Sequence, residues 1–166
     1  MNAFISMIKE RRSVREYTNK KIEREILEEI IDCARLAPSS RNMQPWNFLV
    51  VTHEETLLKI SEFAALGSPF IKNAAACIAV CGTIDAKRHV EDCCLAAENI
   101  MLAAKSFGIG SCYVAAMGKD VDGARKLLEI PDDQEIVCFI TLGYFEKNPP
   151  PPAKKRLKDV IRWEKY

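Results

Sequence analysis

Near the N-terminus, the sequence RRSVR places three guanidinium groups around one hydroxyl group. If the backbone is extended there, Arg11, Ser13 and Arg15 point to one side of the chain. Arg12 and Val14 then point to the other side. The planar fork of arginine donates two parallel hydrogen bonds to phosphate, so the first side is a candidate anion site. Taken alone, RRSVR is more typical of a solvated run of charge.

A second basic cluster, at Lys154, Lys155 and Arg156, follows four prolines at 149–152. The prolines form an extended spacer of roughly 12 Å, at about 3.1 Å per residue. The spacer separates the apolar side chains of the last fourteen residues from the rest of the chain. These side chains need a surface to cover, and a neighbouring subunit would provide one.

The charge of the chain is uneven. Residues 1–24 hold seven basic and three acidic residues, and residues 153–166 hold six and two, whereas the whole chain carries a formal charge of +1. A duplex nucleic-acid binder needs a broad basic face, which a nearly neutral total argues against. Two short basic ends that meet in space would instead hold one small anion.

The segment APSSRNMQPW, residues 37–46, connects a predicted helix to a predicted strand. Between its two prolines it carries two hydroxyls, two carboxamides and a guanidinium, and an indole follows. A simple turn needs none of these groups. The segment therefore predicts a stiffened surface fitted to a ligand.

Hydrophobic periodicity predicts the elements that must position these groups. We expect helices over residues 3–10, 22–36, 55–66, 87–107 and around 120–129, and strands over 46–51, 76–82, 112–116 and 136–142. Helices that alternate with strands indicate an α/β or α+β domain around a central sheet. Residues 93–104 are apolar on nearly all sides, which predicts either a subunit interface or a helix central to one subunit.

The bulk properties narrow the class of protein. A chain of 166 residues, 48% of them hydrophobic, predicts one globular domain over residues 1–166. It shows neither a membrane span nor a signal peptide, so we expect a cytoplasmic protein. The seven cysteines are an odd number and lie mostly in apolar runs, which is typical of reduced core thiols. No CxxC pair or other metal-ligand spacing occurs, and we expect no metal.

No catalytic set of protein side chains can be assembled. The glycines of GIGSCY lack the dinucleotide-binding pattern, no P-loop occurs, and neither histidine has a nucleophile close in sequence. If the chain is an enzyme, a bound cofactor performs the chemistry.

Five motifs in order then carry a resemblance. RRSVR, APSSRNMQPW, AAENIMLAAKSFGIGSCYV, LGYFEK and KKRLKDVIRWEKY together resemble the nitroreductase family of flavin enzymes, from about residue 4 to residue 166. The resemblance implies an α+β fold, an α/β sandwich with a central mixed sheet flanked by helices. It also implies a homodimer with FMN at the subunit interface, NAD(P)H as electron donor, and a C-terminal arm, residues 149–166, that wraps the partner subunit.

The resemblance also implies which residues bind FMN. Arg11 and Ser13 would hold the phosphate and nearby ribityl oxygens with Lys154 and Arg156, and Arg12 would assist. Arg15 would stabilise negative charge at the N1/O2 edge of the flavin. The remaining contacts would come from the partner's 37–46 segment, through Pro38, Ser39, Ser40, Asn42 and Gln44, and from the strand that carries Val114, Ala115 and Ala116.

The chain departs from the family pattern at Ala115 and at residues 64–74. A backbone N–H near Ala115 or Ala116 would face flavin N5, where some members place a glutamate and this chain has Ala115. Trp46 is expected in the core. Larger members carry polar residues and an inserted helical hairpin near residues 64–74, which are AALGSPFIKNA here. The substrate preference of the family therefore does not transfer.

The resulting prediction is an FMN-dependent oxidoreductase. It passes hydride from NAD(P)H through flavin N5 to a nitroaromatic, quinone or similar acceptor by a ping-pong mechanism. The alternatives are a non-catalytic FMN storage or sensor protein, a divergent family activity such as dehalogenation or flavin breakdown, and a thiol or metal sensor. That sensor would use Cys77, Cys81, Cys93 and Cys94.

Overall fold

The computed structural model describes residues 2–63, 68–116 and 120–166. The helices are α1 (Ala3–Glu10), α2 (Arg24–Ala34), α3 (Glu54–Phe63), α4 (His89–Ser106), α5 (Asp120–Leu127) and α6 (Leu157–Val160). The strands are β1 (Trp46–Val51), β2 (Ala76–Thr83), β3 (Gly110–Ala115) and β4 (Gln134–Gly143). Two short 3-10 helices cover Ser40–Asn42 and Pro69–Asn73. None of the helices in the described ranges is long and apolar enough to cross a membrane.

The four strands form one sheet in the order β1-β2-β4-β3, and each neighbouring pair is antiparallel. The predicted α+β class is confirmed. Among the described residues, parallel pairing occurs at an isolated bridge between Ser13 and Ser111, which attaches the RRSVR segment to the outer edge of β3. This parallel contact is thus made by the segment that is predicted to bind an anion.

Helices cover both faces of the sheet. One apolar cluster joins α2 and α4 to the sheet, and a second joins α3, α5 and the Pro69–Asn73 turn to its other face. The two central strands, β2 and β4, are thereby buried on both faces, and for this reason their sequences read as continuous apolar runs. Removal of this apolar surface from water is the main term that stabilises the fold.

The long helix α4 settles how residues 93–104 are buried. Cys93, Ala96, Ile100 and Ala104 are fully buried against the sheet and α2, as a helix central to one subunit requires. The opposite side of α4 is only partly covered, and Leu95 keeps 47% of its surface exposed. Only this partly covered side of α4 is therefore available for an interface between subunits.

The predicted elements all occur, with shifted ends. Helix α2 starts and stops two residues inside the predicted 22–36, and β3 begins two residues before the predicted 112. Helix α3 is described up to Phe63, and the rest of the predicted 55–66 lies outside the described residues. Hydrophobic spacing locates the middle of an element better than its ends, and for this reason the differences are confined to the ends.

Candidate functional site

The RRSVR segment pairs with β3 at Ser13 and Val14, as the extended backbone considered above requires. The N–H of Val14 donates a hydrogen bond of 2.9 Å to the Ser111 carbonyl, next to the Ser13 bridge. Val14 is 2% exposed and points into the protein, whereas Ser13 is half-buried and Arg15 is exposed. Because the segment pairs with β3, the side chains of Ser13 and Arg15 point outward.

Tyr17 also attaches the RRSVR segment to the sheet. Its hydroxyl donates to the Val14 carbonyl at 2.6 Å and lies 2.7 Å from the hydroxyl of Thr141 in β4. Burial is the main cause that raises the pKa of Tyr17 far above its ordinary value. The phenol therefore stays protonated and acts as a structural bond rather than as an acid or base.

A basic cavity of about 60 Å³ lies where RRSVR meets the C-terminal end of α4. Arg11, Arg12, Lys105 and Asn148 line it together with the backbone that leads into β3. The Nη1 atom of Arg12 donates to the carbonyls of Lys9 and Arg11 at 2.9 and 2.8 Å. Its Nε is buried and has no hydrogen-bond partner among the described residues. A buried donor of this kind needs an acceptor, and an anionic oxygen is the strongest one.

Two carboxylates partly balance this positive charge. Arg11 Nε lies 3.6 Å from Glu98 Oε1, and Lys105 Nζ lies 4.0 Å from Glu10 Oε2. Both distances are longer than a strong charge-assisted hydrogen bond, and both carboxylates are well exposed to solvent. The two cations therefore remain available to an anion in the cavity.

Arg15 is not among the residues that line this cavity, and its guanidinium stacks on an aromatic ring. Its guanidinium carbon is 5.7 Å from the centroid of the Phe70 ring, within cation–π range. Its Nη1 also donates a long hydrogen bond of 3.4 Å to the Ser13 carbonyl. The exposed guanidinium is thus held beside the Phe70 ring rather than free in solvent.

The 37–46 segment is a surface loop with an unusual backbone. Arg41, Asn42 and Gln44 have φ angles of 52°, 57° and 50°, in the left-handed region that non-glycine residues rarely adopt. The Ser39 hydroxyl accepts a hydrogen bond from the Gln44 N–H at 2.9 Å and closes the loop. Trp46 is 8% exposed and belongs to the core, as predicted.

The polar side chains of this loop face outward. Pro38, Ser40, Asn42 and Gln44 are exposed, and Ser39 is half-buried. The loop is anchored from beneath, because the Ser40 N–H donates to both carboxylate oxygens of Asp92 at 3.0 and 3.1 Å. The anchor leaves the outward side chains available to a ligand or another subunit.

At the end of β3, the structure distinguishes the two candidate N–H groups. The Ala116 N–H donates to the Val137 carbonyl of β4 at 3.4 Å. Because successive N–H groups of a strand point to opposite sides, the Ala115 N–H is directed away from β4, toward the open edge. Val114 is buried, whereas the methyl group of Ala115 is exposed. The N–H that could face a ligand is therefore that of Ala115.

A single chain does not bring all the predicted residues together. Asp92, which anchors the loop, and Lys105, at the basic cavity, are separated by about 20 Å along α4 at 1.5 Å per residue. Lys154 and Arg156 are exposed. Within the described part of the chain, residues 153–166 form hydrogen bonds and ion pairs only with one another, such as that of Arg156 with Asp159. The structure thus assembles the basic cavity and the β3 edge, and it holds the loop elsewhere.

A groove of about 950 Å³ lies between α2 and β1. Ile22, Leu27, Ile31 and Val50 form much of its apolar floor, and its rim is mainly basic. None of the predicted FMN-binding residues lines it. The groove is therefore a second concave surface, separate from the basic cavity.

The buried thiols are unsuited to redox sensing. Burial raises the pKa of Cys77 and Cys93 to about 12 and that of Cys81 to about 11. Thiols with such pKa values are almost wholly protonated near neutral pH and hence weak nucleophiles. Within the described ranges, no three His, Cys, Asp or Glu side chains are placed to hold one metal ion.

Sequence reasoning missed three residues of this region. Asp92, Glu98 and Phe70 contact the loop, Arg11 and Arg15 respectively. Only Asp92 had a visible signal, as an acidic residue directly before the mainly apolar run of residues 93–104. The other two contacts depend on how distant segments pack.

The chain is similar in sequence to a family of known proteins. The model of the nitroreductase family matches residues 8–80 and 62–144. A protein of Archaeoglobus fulgidus, named provisionally as an NADH dehydrogenase/NAD(P)H nitroreductase, is 38% identical over 151 residues, which cover 87% of this chain and 86% of the relative.

Solved structures are similar over nearly the whole length. A Bacteroides thetaiotaomicron protein with the same provisional name has a TM-score of 0.92 at 32% identity, covering 100% of this chain and 99% of the other. An FMN-dependent nitroreductase of Clostridium difficile has a TM-score of 0.89 at 28% identity, with 98% and 99% covered. With a family model and a relative above 30% identity that both span most of its length, the chain belongs to the nitroreductase family.

Proposed function

We propose that the chain is an FMN-dependent oxidoreductase that works as a homodimer and takes its electrons from NAD(P)H. It passes them to a nitroaromatic, a quinone or a similar acceptor by a ping-pong mechanism, in which donor and acceptor use the same site in turn. Relatives carry the names of NAD(P)H nitroreductases, and one solved neighbour is named FMN-dependent.

The observation that carries the proposal is the basic cavity with its unpartnered Arg12 Nε. Two arginines and a lysine converge there, and a buried guanidinium N–H lacks an acceptor among the described residues. A phosphate group supplies acceptor oxygens and the matching negative charge. The residues present therefore fit the phosphate end of FMN.

The roles of the chain's own residues follow from their positions. Arg11 and Ser13 bind the phosphate and neighbouring ribityl oxygens, and Arg12 assists. Arg15, held over Phe70, stabilises negative charge at the N1/O2 edge of the flavin. The outward N–H of Ala115 donates a hydrogen bond to the ring system. Bound FMN supplies the two-electron chemistry between NAD(P)H and the acceptor.

The site is completed by a second subunit. The loop residues Pro38, Ser39, Ser40, Asn42 and Gln44 lie at the far end of α4 from the basic cavity of the same chain. An outward-facing polar loop at that distance suits the cofactor of the partner subunit. Two copies then share two equivalent sites, as closed twofold symmetry requires.

The C-terminal arm holds the two copies together. Leu157, Val160 and Trp163 are 73%, 59% and 80% exposed, far above what apolar side chains adopt when they pack. We place the arm against the partner subunit, where its apolar side chains are covered and Lys154 and Arg156 reach the basic cavity.

The test begins with the purified protein. It is incubated with FMN, desalted, and its visible spectrum is recorded before and after NADH or NADPH is added without oxygen. Retained flavin absorbance that bleaches supports an oxidoreductase. Retained flavin that does not bleach favours a storage or sensor protein. Loss of all flavin refutes the cofactor assignment.

A further inference from the structure

Asp92 is a buried carboxylate whose hydrogen bonds go to one distant loop. Only 5% of its surface is exposed, and both of its oxygens accept the Ser40 N–H. Burial of a charge is unfavourable unless that charge is hydrogen-bonded and electrostatically balanced. The first turn of α4 supplies part of the balance, because the N-terminus of a helix carries partial positive charge.

The loop that receives this hydrogen bond does not hold its shape through local preference alone. Arg41, Asn42 and Gln44 are all in the left-handed region, and only asparagine tolerates it readily. Residues in sparsely populated backbone regions persist only where the surroundings hold them, and such residues cluster at ligand sites. The Asp92–Ser40 bond and the Ser39–Gln44 bond are the side-chain contacts that close and anchor this loop.

We infer that Asp92 is a positioning residue that holds residues 39–44 in the conformation that contacts FMN. The inference rests on the proposed function, because it is FMN that gives the loop shape its purpose. Asp92 acts only through the Ser40 N–H, since its carboxylate is buried beneath the loop and faces no cavity described above. Loss of the carboxylate releases the loop to other conformations. The affinity for FMN then falls in proportion to the fraction of time that the loop spends in those other conformations.

The same region offers a matched control. Glu91 lies in the same turn of α4 and carries the same charge, but it is exposed and pairs with Arg88 at 2.8 Å rather than with the loop. Glu91→Gln removes the same negative charge from the start of the helix. Any effect of helix electrostatics alone is therefore shared by the two positions.

The first measurement is hydrogen–deuterium exchange of the full-length protein and its variants, Asp92→Asn, Asp92→Ala and Glu91→Gln. The Ser40 amide should exchange about tenfold faster or more in Asp92→Ala, because a hydrogen bond to a charged group is lost. Asp92→Asn keeps one acceptor oxygen and should fall between Asp92→Ala and the unchanged chain. Trypsin cleavage after the exposed Arg41 should increase in the same order, whereas Glu91→Gln should match the unchanged chain.

The second measurement is FMN affinity by fluorescence titration, with thermal unfolding recorded beside it. We expect the dissociation constant to rise about tenfold in Asp92→Ala and less in Asp92→Asn, which corresponds to about 1.4 kcal/mol. Faster exchange confined to residues 38–44, together with weaker FMN binding, supports the inference.

Four results would overturn it or its premise in distinguishable ways. Unchanged exchange at residues 38–44 in both Asp92 variants would show that the carboxylate does not hold the loop. Faster exchange throughout α4 and the sheet would show a general structural role instead, as would faster loop exchange with unchanged FMN affinity. A starting protein that binds no FMN would refute the proposed function itself, before any variant is compared.

Discussion

The charge of Glu135 should stabilise the protein in a pH-dependent way through His89, the first residue of α4. The Nδ1 atom of His89 lies 2.8 Å from the Ala86 carbonyl, and its Nε2 lies 2.8 Å from Glu135 Oε2. Both partners only accept hydrogen bonds, so the geometry is fully satisfied only when both ring nitrogens carry protons. The pair thus favours the imidazolium form and joins the start of α4 to β4.

The sign of the effect follows from the pKa of His89. Burial lowers this pKa, but the hydrogen bonds to Glu135 and Ala86 and the charges of Glu135 and Glu91 outweigh it, and the pKa lies above its ordinary value of 6.5. A group whose pKa is raised by folding stabilises the protein fully below its unfolded pKa. This stabilisation is lost as the pH rises through the folded pKa.

The magnitude follows from exposure. A charged hydrogen bond contributes about 1.5–3 kcal/mol, but the Glu135 side chain is 52% exposed, so screening by water brings the expected value to about 1 kcal/mol. In a chain of this size, 1 kcal/mol shifts the Tm by roughly 2–4 °C. Glu135→Gln, which keeps an acceptor but removes the charge, should lower the Tm by about this amount at pH 5.5.

The assay is thermal unfolding from pH 5.5 to 8.5, in which the difference between the two proteins should shrink toward the alkaline end. Glu62→Gln, an exposed carboxylate on α3, serves as the control and should show no such trend. A Tm difference that stays constant with pH, or that grows as the pH rises, would refute the assignment of a protonated His89.

Three further predictions concern the proposed site. Arg15→Ala should lower the midpoint potential of bound flavin, because the reduced ring loses a neighbouring cation; a potential that does not change while FMN stays bound would remove that role. Truncation before Ala153 should weaken both FMN retention and dimerisation, measured by desalting and by analytical ultracentrifugation, and a truncated chain that stays yellow and dimeric contradicts the arm assignment. Arg12→Met, which keeps length but removes the buried Nε, should raise the FMN dissociation constant about tenfold, with Arg24→Met on the groove rim as the unaffected control.

Local sequence patterns were sufficient for much of the fold. Apolar spacing located the helices and strands, because a buried face must recur every 3.6 residues in a helix and every two in a strand. The alternation in RRSVR predicted that Val14 points away from Ser13 in an extended backbone, and Val14 is buried whereas Ser13 is half-buried. The polar side chains of residues 37–46 indicated a surface loop, and Ser40, Asn42 and Gln44 are exposed.

Patterns on neighbouring residues could not show which distant groups meet. Asp92 and Ser40 are 52 residues apart, and Arg15 reaches Phe70 only because the RRSVR segment and the Pro69–Asn73 turn pack beside each other. The choice between the N–H groups of Ala115 and Ala116 depended on the register of β3 against β4. A one-residue slip in that register would have exchanged them.

The sequence by itself thus determined the class of fold, the two basic segments, the polar loop and the family, because each is written in residues that are close together in the chain. The tertiary structure decided that one chain brings the basic cavity to the edge of β3 but holds the loop at the other end of α4. That distance is fixed by the packing of a rigid helix against the sheet, which no local pattern encodes.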